Sequence, residues 1–340
     1  MSIPYLLRRW DLFAHFTDPQ LEQLGPCVSR SRYPAGALVV REGEETADAY
    51  LIESGGVRIQ RKTPYGSFSL ANLEPGDLFG ETCFIDRSAR SGDAMTLADT
   101  DLLMLNPLAL QALAERDQRL NLALYWTFWK SLSKKLRQTN EKLTQFFSET
   151  GRPATAQAPP KHDASGEFRI DLASKRKLFQ EQKLSTLEIN FLTSLSKEKN
   201  LPPHKVLFRE GDEGAEEMYV VLEGRVMISK YIPGAGEEAL AFLERGDYFG
   251  EMALIENQPR SADAKADDGG AVVLAIPREV LNGILDINKL SSLRLLKILC
   301  NLVATRLREL DDKIIGWFIL AGGGSGGGTG SYERPGGPSR

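Results

Sequence analysis

Two segments of the 340-residue chain repeat one another, and no other feature narrows the fold as far. The first carries LVVREGEE, YLIESGGVRIQ, LEPGDLFGE and ARSGDA. The second carries VLFREGDEG, YVVLEGRVMIS, LERGDYFGE and PRSADA, in the same order. Phe79-Gly80-Glu81 and Phe249-Gly250-Glu251 stand 170 positions apart, and so do Arg90 and Arg260. Collinear matches at one offset mark a duplicated fold.

Composition sets the limits of each copy. Residues 148–167 are rich in Pro, Ala, Gly and Ser and read as a flexible linker, because such a segment buries too little apolar surface to hold one conformation. Residues 321–340 are a Gly-rich tail expected to be disordered. Two globular blocks remain, 4–147 and 168–320, which suits a chain of this length.

Inside each block, short alternating runs such as Tyr219-Val220-Val221-Leu222 and Val226-Met227-Ile228-Ser229 are separated by Gly-containing turns. A helical stretch precedes the strands and a long one follows. The expected class is α+β, mainly β: two antiparallel jelly-roll barrels, each with an N-terminal helical segment and a long C-terminal helix. Leu122, Tyr125, Trp129, Leu132, Leu136 and Leu143 form an apolar stripe on one long helix. Leu295, Leu299, Leu302, Leu307 and Leu310 form another. Each stripe either packs on its own barrel or makes a helix–helix dimer seam.

The repeated segments FGETCFIDRSARSGDA (79–94) and FGEMALIENQPRSADA (249–264) carry the candidate chemistry. Glycine, Gly80 or Gly250, lets backbone approach a ligand closely. A carboxylate follows at once, Glu81 or Glu251, and nine positions later an arginine, Arg90 or Arg260. Ser91 and Ser261 come next and can donate a further hydrogen bond. A helical turn between acid and arginine exposes free N–H groups near Thr82 and Cys83, or Met252 and Ala253, to an anion. Arginine's planar fork grips two phosphate oxygens together, which lysine cannot do. An acceptor for hydroxyls beside a fixed cation suits a ribose phosphodiester. The bland alternative is a Glu–Arg salt bridge across a turn.

Phe249 to Ala262 resembles the phosphate-binding cassette of the cyclic nucleotide-binding superfamily of catabolite activator protein and protein kinase A regulatory subunits. The REGD turn at Arg209–Asp212 and the LEGR run at Leu222–Arg225 fit the same family. The first block is similar but departs from it, with Thr82, Cys83 and Phe84 where Met252, Ala253 and Leu254 stand, and Ala89 in place of the proline. The resemblance implies that Glu251 accepts the ribose 2′-hydroxyl beside the Gly250 backbone. It also implies that Arg260 pairs with the cyclic phosphate, helped by amides around Met252 and Ala253. Gly80, Glu81, Arg90 and the amides near Thr82 and Cys83 would repeat this in the first block, where Phe84 and Cys83 would narrow or alter the pocket. The implied ligand is cAMP, with cGMP as the lesser choice. Trp317 and Phe318 are candidates to fold over the base in the second pocket, whereas Trp126, Phe128 and Trp129 read as core.

These readings imply a cyclic nucleotide receptor that signals through its C-terminal helices to an unidentified protein partner or a second copy. The alternative is a non-binding scaffold, or a kinase-regulatory-subunit-like protein with a degenerate first pocket. The only early arginine pair, Arg8-Arg9, leads into Trp10-Asp11 rather than an inhibitory R-R-x-S segment. Net charge is −4, from 42 basic and 46 acidic residues, so no overall basic field attracts nucleic acid. No helix-turn-helix follows the last long helix, where the chain passes into GGGSGGGTGS. His15, His162 and His204 are scattered, which argues against a cupin-like metal enzyme, and no catalytic triad stands out, so no enzyme activity is expected. Cys27, Cys83 and Cys300 are too few and too far apart for a disulfide framework. The opening MSIPYLLRRWDLF has no apolar run of signal-peptide length, and no stretch is long enough to span a bilayer. A cytoplasmic protein without membrane insertion is expected.

Overall fold

A computed structural model describes residues 2–150, 195–232, 236–286 and 288–320, with side chains described to residue 144 in the first long helix. The segment expected as linker, beyond Thr150, lies outside the described residues, as does the Gly-rich tail.

The first half opens with α1 (Ile3–Arg8) and α2 (Asp18–Leu24). Thr17 starts α2 with a capping box: its hydroxyl accepts from the Gln20 N–H while the Gln20 side chain accepts from the Thr17 N–H. Eight strands follow. A sheet ordered β1 (Val28–Tyr33), β8 (Thr100–Leu105), β3 (Ala49–Ser54), β6 (Leu78–Phe79) faces one ordered β2 (Leu38–Val40), β7 (Asp93–Thr96), β4 (Val57–Thr63), β5 (Gly66–Leu73). All described pairings are antiparallel. Val40, Ile52, Val57, Phe79 and Leu102 fill the space between the sheets. The expected jelly roll is present.

A short helix, α3 (Glu81–Asp86), interrupts the strands, and α4 (Pro107–Arg116) and α5 (Gln118–Thr150) close the half. Asn106 caps α4 by accepting from the Ala109 N–H, with Pro107 supplying a preset first turn. Asp117 caps α5, its carboxylate accepting from the N–H groups of Arg119 and Leu120.

The second half repeats this plan with longer strands. β11 (Glu217–Ile232) and β14 (Asp263–Pro277) each run through what are two strands in the first half, bending at bulges near Val221/Glu223 and Gly224/Val226. The others are β9 (Lys197–Leu201), β10 (Val206–Phe208), β12 (Gly236–Leu243) and β13 (Tyr248–Phe249), which join one six-stranded sheet with them. Then come α6 (Glu251–Glu256), α7 (Arg278–Ile284) and the long α8 (Ser292–Leu320).

The two apolar helix stripes resolve the choice left by the sequence. Phe128, Trp129, Leu132, Leu136 and Leu143 of α5 share one buried cluster with Leu295, Leu299, Leu307 and Leu310 of α8. The helix–helix seam forms inside a single chain. Cys300 donates to the Tyr125 carbonyl across it, and the Lys297 ammonium lies 5.0 Å from the Tyr125 ring centroid. Phe128 and Trp129 are core, as expected, and truncating either to Ala would cost about 3–5 kcal/mol.

Candidate functional site

Each cassette begins where a two-residue strand meets a left-handed glycine. Gly80 has φ +84° and Gly250 φ +76°, and each caps the start of a six-residue helix, α3 or α6. A Cβ on Gly250 would lie 2.6 Å from Nη1 of Arg260, and one on Gly80 2.5 Å from Nη1 of Arg90. Only glycine lets the guanidinium lie against this turn.

The arginines come back across the turn in the same way in both halves. Arg90 donates from Nη1 to the Gly80 carbonyl (3.2 Å), from Nη2 to the Asp48 carbonyl (2.8 Å) and from Nε to the Thr46 hydroxyl (2.9 Å). Arg260 donates from Nη1 to the Gly250 carbonyl and from Nη2 to the Glu217 carbonyl, both at 2.7 Å. Its guanidinium carbon lies 4.1 Å from the Phe208 ring centroid, above a stack of Phe208, Tyr219 and Phe249. Exposure is 4 % for Arg90 and 6 % for Arg260, yet neither pairs with a carboxylate among the described residues. Burial holds the Arg260 pKa below its ordinary value. A guanidinium taken out of water is costly unless an anion balances it, and carbonyls compensate only in part. Both halves therefore offer a buried cation without a counter-anion among the described residues.

The glutamates do not serve as that anion, so the simple Glu–Arg salt bridge is not formed. Glu81, fully buried, receives Lys135 Nζ at 2.5 Å and the Ser131 hydroxyl at 2.8 Å, both from α5. Its Oε2 has no hydrogen-bond partner among the described residues. Glu251, 1 % exposed, is met by Arg306 Nη1 of α8 at 3.3 Å. Burial raises the Glu251 pKa, and Arg306 opposes the rise. Lys135, Ser131 and Arg306 were missed by sequence reasoning. Lys135 and Arg306 stand 171 positions apart, the one signal that could have flagged them.

In the second half, Glu251, Arg260, Phe208, Leu240, Leu136 and Asn140 are among the residues around a cavity of roughly 620 Å³, counting its open mouth. Gly250, Met252, Ala253 and Ser261 also line it, so this predicted set is brought together. Leu136 and Asn140 belong to α5 of the first half.

In the first half, Gly80, Glu81, Thr82, Cys83, Arg90 and Ser91 occupy the corresponding chain positions around α3. Thr82 and Ser91 are half-buried, and Cys83 is buried with Arg308 Nη2 of α8 donating to its sulfur at 3.4 Å. The bulk of Phe84 is taken up against Phe128 of α5, with ring centroids 5.2 Å apart. Phe318 does not fold over the second pocket: it packs on Phe68 and Tyr65 of the first half, 4.7 and 6.5 Å between centroids. Trp317 is not among the residues lining the second cavity and lies beside Lys313. The long helix crosses to the other half before these aromatics are reached.

The sequence matches the cyclic nucleotide-binding domain family over residues 30–117 and 198–288, more than half of the chain. It is 23% identical over 270 residues to cGMP-dependent protein kinase egl-4 of Caenorhabditis briggsae, covering 79% of this chain and 29% of that protein. It is 20% identical over 267 residues to human cGMP-dependent protein kinase 2, covering 78% and 28%. The chain thus spans under a third of the length of these curated relatives. Among solved structures, the regulatory domain of Toxoplasma gondii PKA with cAMP aligns with 86% of this chain and 93% of its own, at 18% identity and a TM-score of 0.32. A cyclic nucleotide-binding domain from Methylobacillus flagellatus aligns with 43% of this chain and 82% of its own, at 21% identity and a TM-score of 0.39. With two matched segments, each holding one of the cassettes described above, the chain belongs to the cyclic nucleotide-binding domain family.

Proposed function

We propose that the chain is a cytoplasmic receptor that binds cAMP in preference to cGMP in one or both halves and relays binding through α5 and α8 to a protein partner. One observation carries the binding reading: two buried arginines, each hydrogen-bonded among the described residues only to neutral oxygens, each beside a buried glutamate on the same turn. A cyclic phosphate would supply the absent anion, and a ribose hydroxyl a donor for the carboxylate. Glu81 Oε2 is a ready acceptor of this kind in the first half. The relay reading is supported by the cations on the glutamates, since Lys135 and Arg306 both come from the long helices. A ligand hydroxyl arriving at either carboxylate must share it with a helix. The two matched segments are binding domains, and no catalytic role is proposed.

A second reading, cGMP, draws support from relatives named as cGMP-dependent kinases and from the hydroxyl after each arginine, Ser91 and Ser261. Calorimetric titration of the full chain with each nucleotide separates the two. Micromolar or tighter binding of cAMP is expected, with Arg260→Ala removing the tighter event. Loss of a phosphate-bound guanidinium should weaken binding roughly 30- to several-thousand-fold, from about 2–5 kcal/mol. Unchanged affinity in that variant would overturn the phosphate assignment.

A further inference from the structure

The two halves part at the tip of the first cassette. Each short cassette helix ends on a left-handed residue that is not glycine, Arg87 at φ +59° after α3 and Asn257 at φ +53° after α6. Asparagine tolerates that backbone readily, whereas arginine adopts it at a conformational cost. Leu108 and Arg278 likewise stand 170 positions apart, at the starts of α4 and α7. Arg278 braces its half, donating from Nε to the Ala215 carbonyl and from Nη1 to the Leu254 carbonyl of α6, both at 3.1 Å. Leu108 is 76 % exposed. Where the second half has a brace, the first presents an apolar side chain to water.

Four elements meet at this tip. Arg87 donates from Nη2 to the side chain of Gln111 (2.8 Å), one turn along α4 from Leu108. On α5, Tyr125 has Lys297 Nζ of α8 at 5.0 Å from its ring centroid. Burial pushes the Tyr125 phenol up to about 12, and the nearby Arg87 charge opposes the rise. Its hydroxyl therefore keeps its proton as a hydrogen-bond donor. Arg294, exposed, stands one turn before Lys297. Arg87, Arg294 and Lys297 pair with no acid among the described residues. Two acids of the same elements are committed, Asp86 to Arg308 and Glu115 to Gln111. In a chain of net charge −4, three unpaired cations reverse the local sign.

We propose that this surface docks an acidic segment of a partner protein, its carboxylates meeting Arg87 and Lys297 and an apolar side chain resting on Leu108. Arginine and tyrosine beside an apolar neighbour suit a protein interface, whereas a nucleic-acid backbone needs a longer basic track. The proposal gives a chemistry to the partner of the receptor reading, and rests on that reading only for its ligand dependence. Glu81 opens the six-residue α3 and Arg87 follows its end, so a ligand that shifts α3 moves Arg87 relative to Lys297 on α8.

The probe is a fluorescent peptide of repeated Leu-Glu-Glu, titrated with the full chain by anisotropy, with and without saturating cAMP. Arg87→Asn, which copies the residue of the second half, combined with Lys297→Gln should weaken peptide binding about tenfold. Lys205→Gln, an equal charge change at an exposed lysine of the second half, should leave it within about twofold. Leu108→Ala should also weaken the peptide, and should leave the affinity for polyglutamate unchanged. Matching thermal melts show that each variant is folded. A double variant that binds as wild type does, a Lys205→Gln loss of the same size, or no peptide binding by wild type in either state overturns the docking surface and leaves the receptor reading intact. cAMP that binds the chain without changing peptide affinity overturns the link between surface and pocket. If peptide binding depends on Arg87 and Lys297 while neither nucleotide binds, the surface stands and the receptor reading falls.

Discussion

Arg137 and Arg308 are exchanged partners. Arg137, on the helix that closes the first half, donates from Nε to Glu256 (2.9 Å) and from Nη1 to the Pro259 carbonyl (3.1 Å) in the second cassette. Arg308, on the helix that closes the second half, donates from Nε to Asp86 (2.8 Å) and from Nη1 to the Ala89 carbonyl (3.0 Å) in the first. Asp86 and Glu256 are 170 positions apart, as are Ala89 and Pro259, while the arginines are 171 apart. The glutamate-bound cations Lys135 and Arg306 share the helix offset. So do Lys142 and Lys313, which donate to the carbonyls of Ser69 and Ala239, themselves 170 apart. The chain is a pseudo-dimer of its own two halves.

These exchanged contacts predict crossed effects. Arg137→Ala should change ligand affinity in the second pocket more than in the first, and Arg308→Ala the reverse. Both arginines are about one-fifth exposed, so each substitution should cost only about 1–2 kcal/mol of stability. A double-mutant cycle of Arg137→Ala with Glu256→Ala, read by urea denaturation, should give a coupling of about 0.5–2 kcal/mol. Additive losses would mean that the contact carries nothing.

Replacing Glu251 by Gln tests the hydroxyl role. A charged acceptor strengthens a hydrogen bond by about 1–1.5 kcal/mol over a neutral one, so affinity for the ribonucleotide should fall about tenfold. The 2′-deoxy analogue lacks the hydroxyl and should bind both proteins almost equally. Equal losses for the two ligands would show that Glu251 acts on the fold rather than on the sugar.

The duplicated halves, the barrel class and the cassette were legible because each depends on local chemistry: a glycine at a left-handed turn, an acid after it, an arginine nine positions on. What the helices touch was not legible. Lys135, Arg137, Arg306 and Arg308 stand on amphipathic helices where basic residues ordinarily face water. An apolar stripe tells which face is buried, not which neighbour buries it. Phe318 illustrates the limit, since its hydrophobicity predicted a lid while the path of α8 took it to Phe68. Asn140 could not be read as a pocket residue for the same reason, being more than 100 positions from Arg260 in sequence.

Gly250→Ala should be severe where another left-handed glycine is tolerant. The added Cβ would meet Arg260 at 2.6 Å, so the variant should lose about 2–4 kcal/mol and its second binding event. Gly211 also has positive φ, +82°, but open space surrounds its missing Cβ. Gly211→Ala should cost only about 1–2 kcal/mol and leave binding intact. Equal damage from both substitutions, measured by thermal melting and titration, would mean that backbone conformation alone matters at Gly250.

Asp311 of α8 gives the fold a pH dependence near neutrality. Burial pushes its carboxyl up to about 7 from an ordinary value of 3.8, against the opposing pull of Arg61 and Lys142. Burial also brings Lys142 down to about 8. A carboxyl whose folded pKa is raised keeps its proton in the native state where the unfolded chain has lost it. The folded form then binds more protons between about pH 4 and 7, and stability falls as pH rises through that window. Asp311 is only half-buried, so the effect is reduced by solvent to about 1–3 kcal/mol. Asp311→Asn keeps the shape and removes the charge. It should be more stable than wild type at pH 8, by that amount, and closely matched to it at pH 4. Urea denaturation across this range reads the difference directly, and parallel stability curves would show that Asp311 does not titrate there.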